Sequence, residues 1–103
     1  MTEYNKAIRD KIPEIIKESG KKCEIKTLSD EEFLKELEKK LVEELNEYQE
    51  SKDVEELSDI LEVIYRISSL KGTSSEQLDK IRKDKVTKRG AFDDNLSLIS
   101  TED

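Results

Sequence analysis

Two runs of apolar residues at helical spacing, joined by a turn of about three residues, constrain this chain more than any other feature it carries. From Ser29 to Gln49, residues Phe33, Leu34, Leu37, Leu41, Leu45 and Tyr48 recur mostly at steps of three and four, which puts them on one side of a long helix. Ser29 followed by Glu32 reads as a capping box that starts it. The second run begins near Asp53, whose side chain can accept from the N–H groups of Glu55 and Glu56, and continues to Lys71 before Gly72, a natural helix stop. So short a turn requires the two helices to pack as an antiparallel hairpin.

The rest of the chain adds smaller pieces. Thr73 with Glu76, or Ser74 with Gln77, caps a third helix that ends at Lys88 and Arg89 before Gly90. Residues 10–19 form a short helix, with Pro13 tolerated in its first turn and Gly20 as its stop. Residues 24–28 mix polar and apolar side chains as a short strand does, and residues 96–99, Leu-Ser-Leu-Ile, are the candidate partner for a minor two-stranded ribbon. The expected fold is all-α, one domain over residues 1–103: a hairpin, a third helix and a short N-terminal helix in a helical bundle.

Composition narrows the chemistry. There are 26 acidic and 19 basic residues, a net charge of -7 and no His, so neither a Ser-His-Asp triad nor an imidazole base is available. Cys23 has no partner for a disulfide and no neighbouring ligands for a thiolate metal site. The acidic balance argues against a nucleic-acid polymer as partner, which needs clustered Lys and Arg, and suits a protein that holds divalent cations. No apolar run approaches the roughly 18 residues that span a bilayer, and the opening MTEYNKAIRDK lacks a signal peptide's apolar stretch, so no membrane partner and a cytoplasmic location are expected.

Some charges fall where packed residues belong. At 100° per residue Glu44 lies inside the stripe of Leu37 and Leu41, and Glu47 lies at its edge. In the second helix Val54, Leu57, Ile60, Leu61, Ile64 and Tyr65 make one broad apolar line and Val63, Ile67 and Leu70 a second. That helix has to be covered from two directions, and Glu56 and Asp59 continue its second line toward the turn. Glu47 and Glu56 are separated by residues 48–55, so the two carboxylate pairs lie at similar distances from the turn and can converge across the hairpin. Burying ionised carboxylates requires compensation, and oxygen donors without His or Cys select Mg²⁺ or Mn²⁺ over Zn²⁺ or Cu²⁺. The competing reading is that acidic pairs at this spacing arise by chance in so acidic a chain and are solvated or paired with Lys; Glu43, mostly outward, is a base assisting the site or a surface residue. On the third helix Lys85 and Arg89 align with Leu78, with Arg82 alongside, an arrangement that suits a polyphosphate or, more simply, the helix dipole.

Glu43-Glu44-x-x-Glu47 followed by Glu56-Leu-Ser-Asp59 resembles the E-E-x-x-E and E-x-x-D signature of the MazG-like all-α nucleoside triphosphate pyrophosphohydrolases, the superfamily that includes phosphoribosyl-ATP pyrophosphohydrolase. Tyr4-Asn5-Lys6, Arg9-Asp10-Lys11-Ile12-Pro13 and Lys88-Arg89-Gly90-Ala91-Phe92 resemble the ends of a small single-domain subgroup, so the likeness spans residues 4–92. The resemblance implies a Mg²⁺-dependent hydrolase that cleaves a nucleoside triphosphate to the monophosphate and pyrophosphate in a house-cleaning role. Glu44, Glu47, Glu56 and Asp59 become the metal ligands, Glu43 or Glu44 the base, and Lys85, Lys88 and Arg89 the phosphate contacts. It also implies a homodimer or homotetramer whose helices build the pocket together. The eight-residue gap is shorter than the intervals of about a dozen or more in many relatives, so the hairpin turn is tighter here. The alternatives are a phosphoribosyl-ATP pyrophosphohydrolase of histidine synthesis and a non-catalytic acidic adaptor or dimerisation module.

Overall fold

The computed structural model describes residues 4–103. Four helices follow one another: α1 (Ile12–Glu18), α2 (Asp30–Ser51), α3 (Val54–Leu70) and α4 (Ser75–Arg89). Each long helix starts at the residue whose side chain satisfies its free N–H groups. Ser29 accepts from the Glu32 N–H at 3.2 Å, and its hydroxyl donates to the Glu32 carboxylate at 3.0 Å. Asp53 accepts from the Glu55 N–H at 3.2 Å, while Glu56 donates to the Asp53 carbonyl instead of its side chain. Of the two possible caps on α4, Ser74 with Gln77 forms the reciprocal box, with hydrogen bonds of 2.9 and 3.1 Å.

The hairpin turn is Lys52 and Asp53 alone. Lys52 takes the left-handed conformation, φ 59°, and donates its N–H to the Tyr48 carbonyl at 2.7 Å, which ends α2 without a glycine. At the far end Gly72, φ 86°, lets the chain reverse, and Ser68, buried, donates its hydroxyl to the Thr73 carbonyl at 2.7 Å.

The core lies along the α2–α3 seam. Leu37, Val63 and Ala7 are its buried centre, with Phe33, Leu41, Ile67 and Leu70 packed around them. Thus the α3 line of Val63, Ile67 and Leu70 faces α2, and Ala7 ties the N-terminal segment to the same seam. The other α3 line is only partly covered: Ile60 is buried, but Val54, Leu57 and Leu61 are exposed. Leu78 is half-buried against the rest of the molecule, whereas Ile81 and Val86 farther along α4 are exposed.

The sequence-based ribbon is absent: residues 24–28 and 96–99 are irregular, and no strand occurs among the described residues. Ile25, Leu96, Leu98 and Ile99 are all exposed, so neither segment rests on the apolar surface that an isolated pair of strands needs. α1 is shorter than residues 10–19, beginning one residue before Pro13, whose missing N–H costs nothing in a first turn. No helix among the described residues is long and apolar enough to cross a membrane.

Candidate metal centre

Glu44 inherits its position from the core. It follows Leu37 and Leu41 on the inner stripe of α2, and this places its carboxyl in the seam with only 6% of the residue exposed. Glu56 and Asp59, seven and four residues before Val63, occupy the corresponding side of α3. Ligand oxygens of Glu44, Glu56 and Asp59 all lie within 4.8 Å of one another. Three of the four carboxylates expected to converge across the hairpin therefore do so. Glu47 is exposed and outside that group, yet its carboxyl is close enough to act on Glu44.

The electrostatics of Glu44 are unbalanced. Its Oε1 receives the Lys40 ammonium at 3.5 Å, a contact shielded from water on both sides, but its Oε2 is buried with no hydrogen-bond partner. Burial pushes the Glu44 carboxyl above the ordinary carboxylate value of 4.5, and the neighbouring Glu47 carboxyl raises it further; Lys40 opposes these effects and Asp59 adds to them. A buried carboxylate oxygen without a donor is expensive, and a bound cation or a proton would relieve it.

Resident cations stand on the acidic side chains around this point. Arg9 donates from Nη2 to Asp59 Oδ1 at 2.6 Å, and Lys6 reaches Glu43 Oε1 at 3.4 Å. Glu43 is thus held by the N-terminal segment, half-buried, and is not part of the three-carboxylate group. A groove of about 410 Å³ opens between that segment and the hairpin, with Glu44 and Asp59 in its wall. Arg9, Lys11, Lys40 and Arg66 supply its cations, and Phe33 and Val63 part of its apolar lining.

Lys85, Lys88 and Arg89 do not line this groove; all three are exposed on α4. Arg89 instead borders a separate cavity of about 420 Å³ formed with the bend of residues 90–96. Arg82 and Lys83 are engaged on their own helix, both bound to Asp79, at 2.8 and 3.1 Å. Within one chain the cations near the carboxylates come from the N-terminal segment, α2 and α3. Lys40 could have been found from sequence, as the residue four before Glu44 on one helix face. Arg9 is 50 residues from Asp59, and helical spacing carries no information over that interval. The available signal was Lys6, Arg9 and Lys11 gathered at the start of an acidic chain.

Comparison with family models, with curated proteins and with solved structures finds no match.

Proposed function

We propose that this chain is a divalent-metal-dependent nucleotide pyrophosphohydrolase, cleaving a nucleoside triphosphate or a related nucleotide to the monophosphate and pyrophosphate, and acting as a homodimer or homotetramer in the cytoplasm. The observation that carries the reading is the buried Glu44: its Oε2 has no partner, and one of its carboxylate oxygens lies within 4.8 Å of an oxygen of Glu56 and of Asp59. A chain with 26 acidic residues has many solvated carboxylates, but solvated ones do not leave an oxygen buried and unsatisfied. The donors are all hard oxygens, which fits Mg²⁺ or Mn²⁺, and Glu44, Glu56 and Asp59 would hold the ion with Glu47 completing the set. When bound, such an ion offsets charge on phosphate oxygens and lowers the pKa of a coordinated water.

The chain's own residues account for the remaining steps. Glu43, next to Glu44 in the chain and paired with Lys6 at 3.4 Å, or Glu44 itself would accept the proton of the attacking water. Water adds to phosphorus as the bond between the α and β phosphates breaks. The pyrophosphate that leaves then requires cations, and the candidates are Arg9, Lys11, Lys40 and Arg66 of the groove, whose wall also carries Asp10 and Glu62. Lys85, Lys88 and Arg89 contribute only where another copy of the chain brings its α4 to this groove.

The test measures pyrophosphate release from a panel of common and damaged nucleoside triphosphates and phosphoribosyl-ATP, with Mg²⁺ and with Mn²⁺. Activity on phosphoribosyl-ATP alone assigns the chain to histidine synthesis, and activity across altered nucleotides assigns a house-cleaning role. Absence of both activity and calorimetric metal binding overturns the proposal in favour of an acidic adaptor.

A further inference from the structure

The cation closest to the proposed ligands is part of the protein. Arg9 lies 2.6 Å from Asp59 Oδ1, one of the three carboxylates whose oxygens converge. A divalent ion among those oxygens and a guanidinium on the same carboxylate repel each other over a few ångström. The pair is open to water, with side-chain exposures of 52% for Arg9 and 41% for Asp59, so its own attraction is weak and it exchanges readily. Lys40, by contrast, is shielded against Glu44, with side-chain exposures of 16% and 8%.

Arg9 also has somewhere to go. It lines the groove of about 410 Å³ together with the cations Lys11 and Arg66 and the carboxylates Asp10 and Glu62. Its backbone belongs to no helix, lying between Ala7, anchored in the core, and the start of α1 at Ile12, so a change of side-chain rotamer re-aims the guanidinium without breaking any helical hydrogen bond. A guanidinium fork matches two phosphate oxygens better than it matches one oxygen of a half-exposed carboxylate.

We propose that Arg9 is an exchangeable cation: it neutralises Asp59 in the metal-free protein, gives up that carboxylate to the divalent ion, and then binds the polyphosphate of the substrate from the groove. This rests on the metal-dependent reading above and adds a polyphosphate-binding residue from the N-terminal segment. The exchange has opposite consequences for the two ligands. Removing Arg9 takes away the ion's competitor and also takes away a phosphate contact.

Calorimetric titration of the full chain separates these consequences. Mg²⁺ alone should bind Arg9→Gln about two- to fivefold more tightly than wild type, the size of an exposed ion pair. Inorganic triphosphate added to the Mg²⁺-saturated protein should bind Arg9→Gln about tenfold or more weakly than wild type, the size of a charged hydrogen bond. Arg9→Lys keeps the charge without the fork; it should bind Mg²⁺ like wild type and triphosphate with intermediate affinity. Lys39→Gln removes one positive charge outside the groove and should shift neither. Unchanged or weaker Mg²⁺ binding by Arg9→Gln, unchanged triphosphate binding, or the same shifts in Lys39→Gln overturns the proposal while leaving the metal-dependent reading intact. A wild type that binds no Mg²⁺ or Mn²⁺ overturns both.

Discussion

A carboxylate carried into a helix seam is matched by a cation, by a proton or by unfavourable energy, and Glu44 shows all three. Lys40 covers one oxygen, the other has no partner, and the group's affinity for its proton is raised by burial first and by Glu47 second. The sign of the pH effect follows. Because the folded chain holds this proton more tightly than the unfolded chain, its contribution to stability is complete below the ordinary value of 4.5 and is lost as pH rises through the higher folded value. In chelator, the Tm advantage of Glu44→Gln over wild type should therefore widen as pH rises from about 4 to about 7. Saturating Mg²⁺, which competes with the proton, should reverse the wild type's loss. Glu44→Gln keeps the shape and removes the charge: in chelator it should be more stable than wild type by about 1 kcal/mol, or about 4–8 °C in Tm, and it should gain nothing from Mg²⁺. A variant that is destabilised in chelator yet still stabilised by Mg²⁺ would show that Glu44 is not a ligand. The position of Glu44 was legible in the sequence because helical periodicity puts it in line with Leu37 and Leu41. Periodicity also aligned Lys85 and Arg89 with Leu78, but Ile81 and Val86 on α4 are exposed within one chain, so that alignment does not make the face an inward one there. Arg9 and Lys6 could not be seen at all in this way, since their pairing with Asp59 and Glu43 depends on how Ala7 docks the N-terminal segment.

At the scale of the elements, α3 is the one on which the site depends, because Glu56 belongs to its first turn and Asp59 to its second. Asp53 sets where that first turn begins by accepting from the Glu55 N–H. Asp53→Ala should cost about 1 kcal/mol of stability, as lost N-caps do, and should weaken Mg²⁺ binding by fraying the turn that carries Glu56. Ser74→Ala removes the equivalent cap from α4, outside the metal centre. It should cost a similar amount, about 1 kcal/mol, and speed amide exchange along α4 while Mg²⁺ affinity stays at the wild-type value. Equal losses of Mg²⁺ affinity in the two variants would mean that global stability, and not the placement of Glu56, sets binding. Cap residues were legible because a side-chain acceptor two or three positions ahead of an N–H is local chemistry. The ribbon was not, because strands depend on a surface to lie on, and residues 96–99 leave the helices behind and have none.

At the scale of the whole molecule, the chain is open for its mass. Its accessible surface is 9584 Å², whereas a compact monomer of this mass exposes about 6,000 Å². Its radius of gyration is 18.1 Å over extents of 61 × 32 × 24 Å, against about 13 Å for a compact domain of this length. Among the described residues the buried hydrophobic ones are Ala7, Leu37, Ile60 and Val63, while Val42, Leu45, Val54, Leu57 and Leu61 are exposed on the hairpin. The exposed residues 80–103 account for part of this, and the two-sided α3 helix read from the sequence for another part: one line is used within the chain, against α2, and the other is exposed. The excess surface is several times the roughly 800 Å² per partner of a standard interface, so a second copy covering α3 fits the proposed homodimer or homotetramer. Leu57 and Leu61, one turn apart on that exposed line, provide the test. Replacing both with Lys places two charges where the apolar face would be covered and should raise the dissociation constant about a hundredfold or more. Sedimentation equilibrium should then find wild type as a dimer or larger and the double variant as a monomer with a lower Tm. A monomeric wild type at the same concentration would overturn the assembly and, with it, any contribution of Lys85, Lys88 and Arg89 to a neighbouring groove.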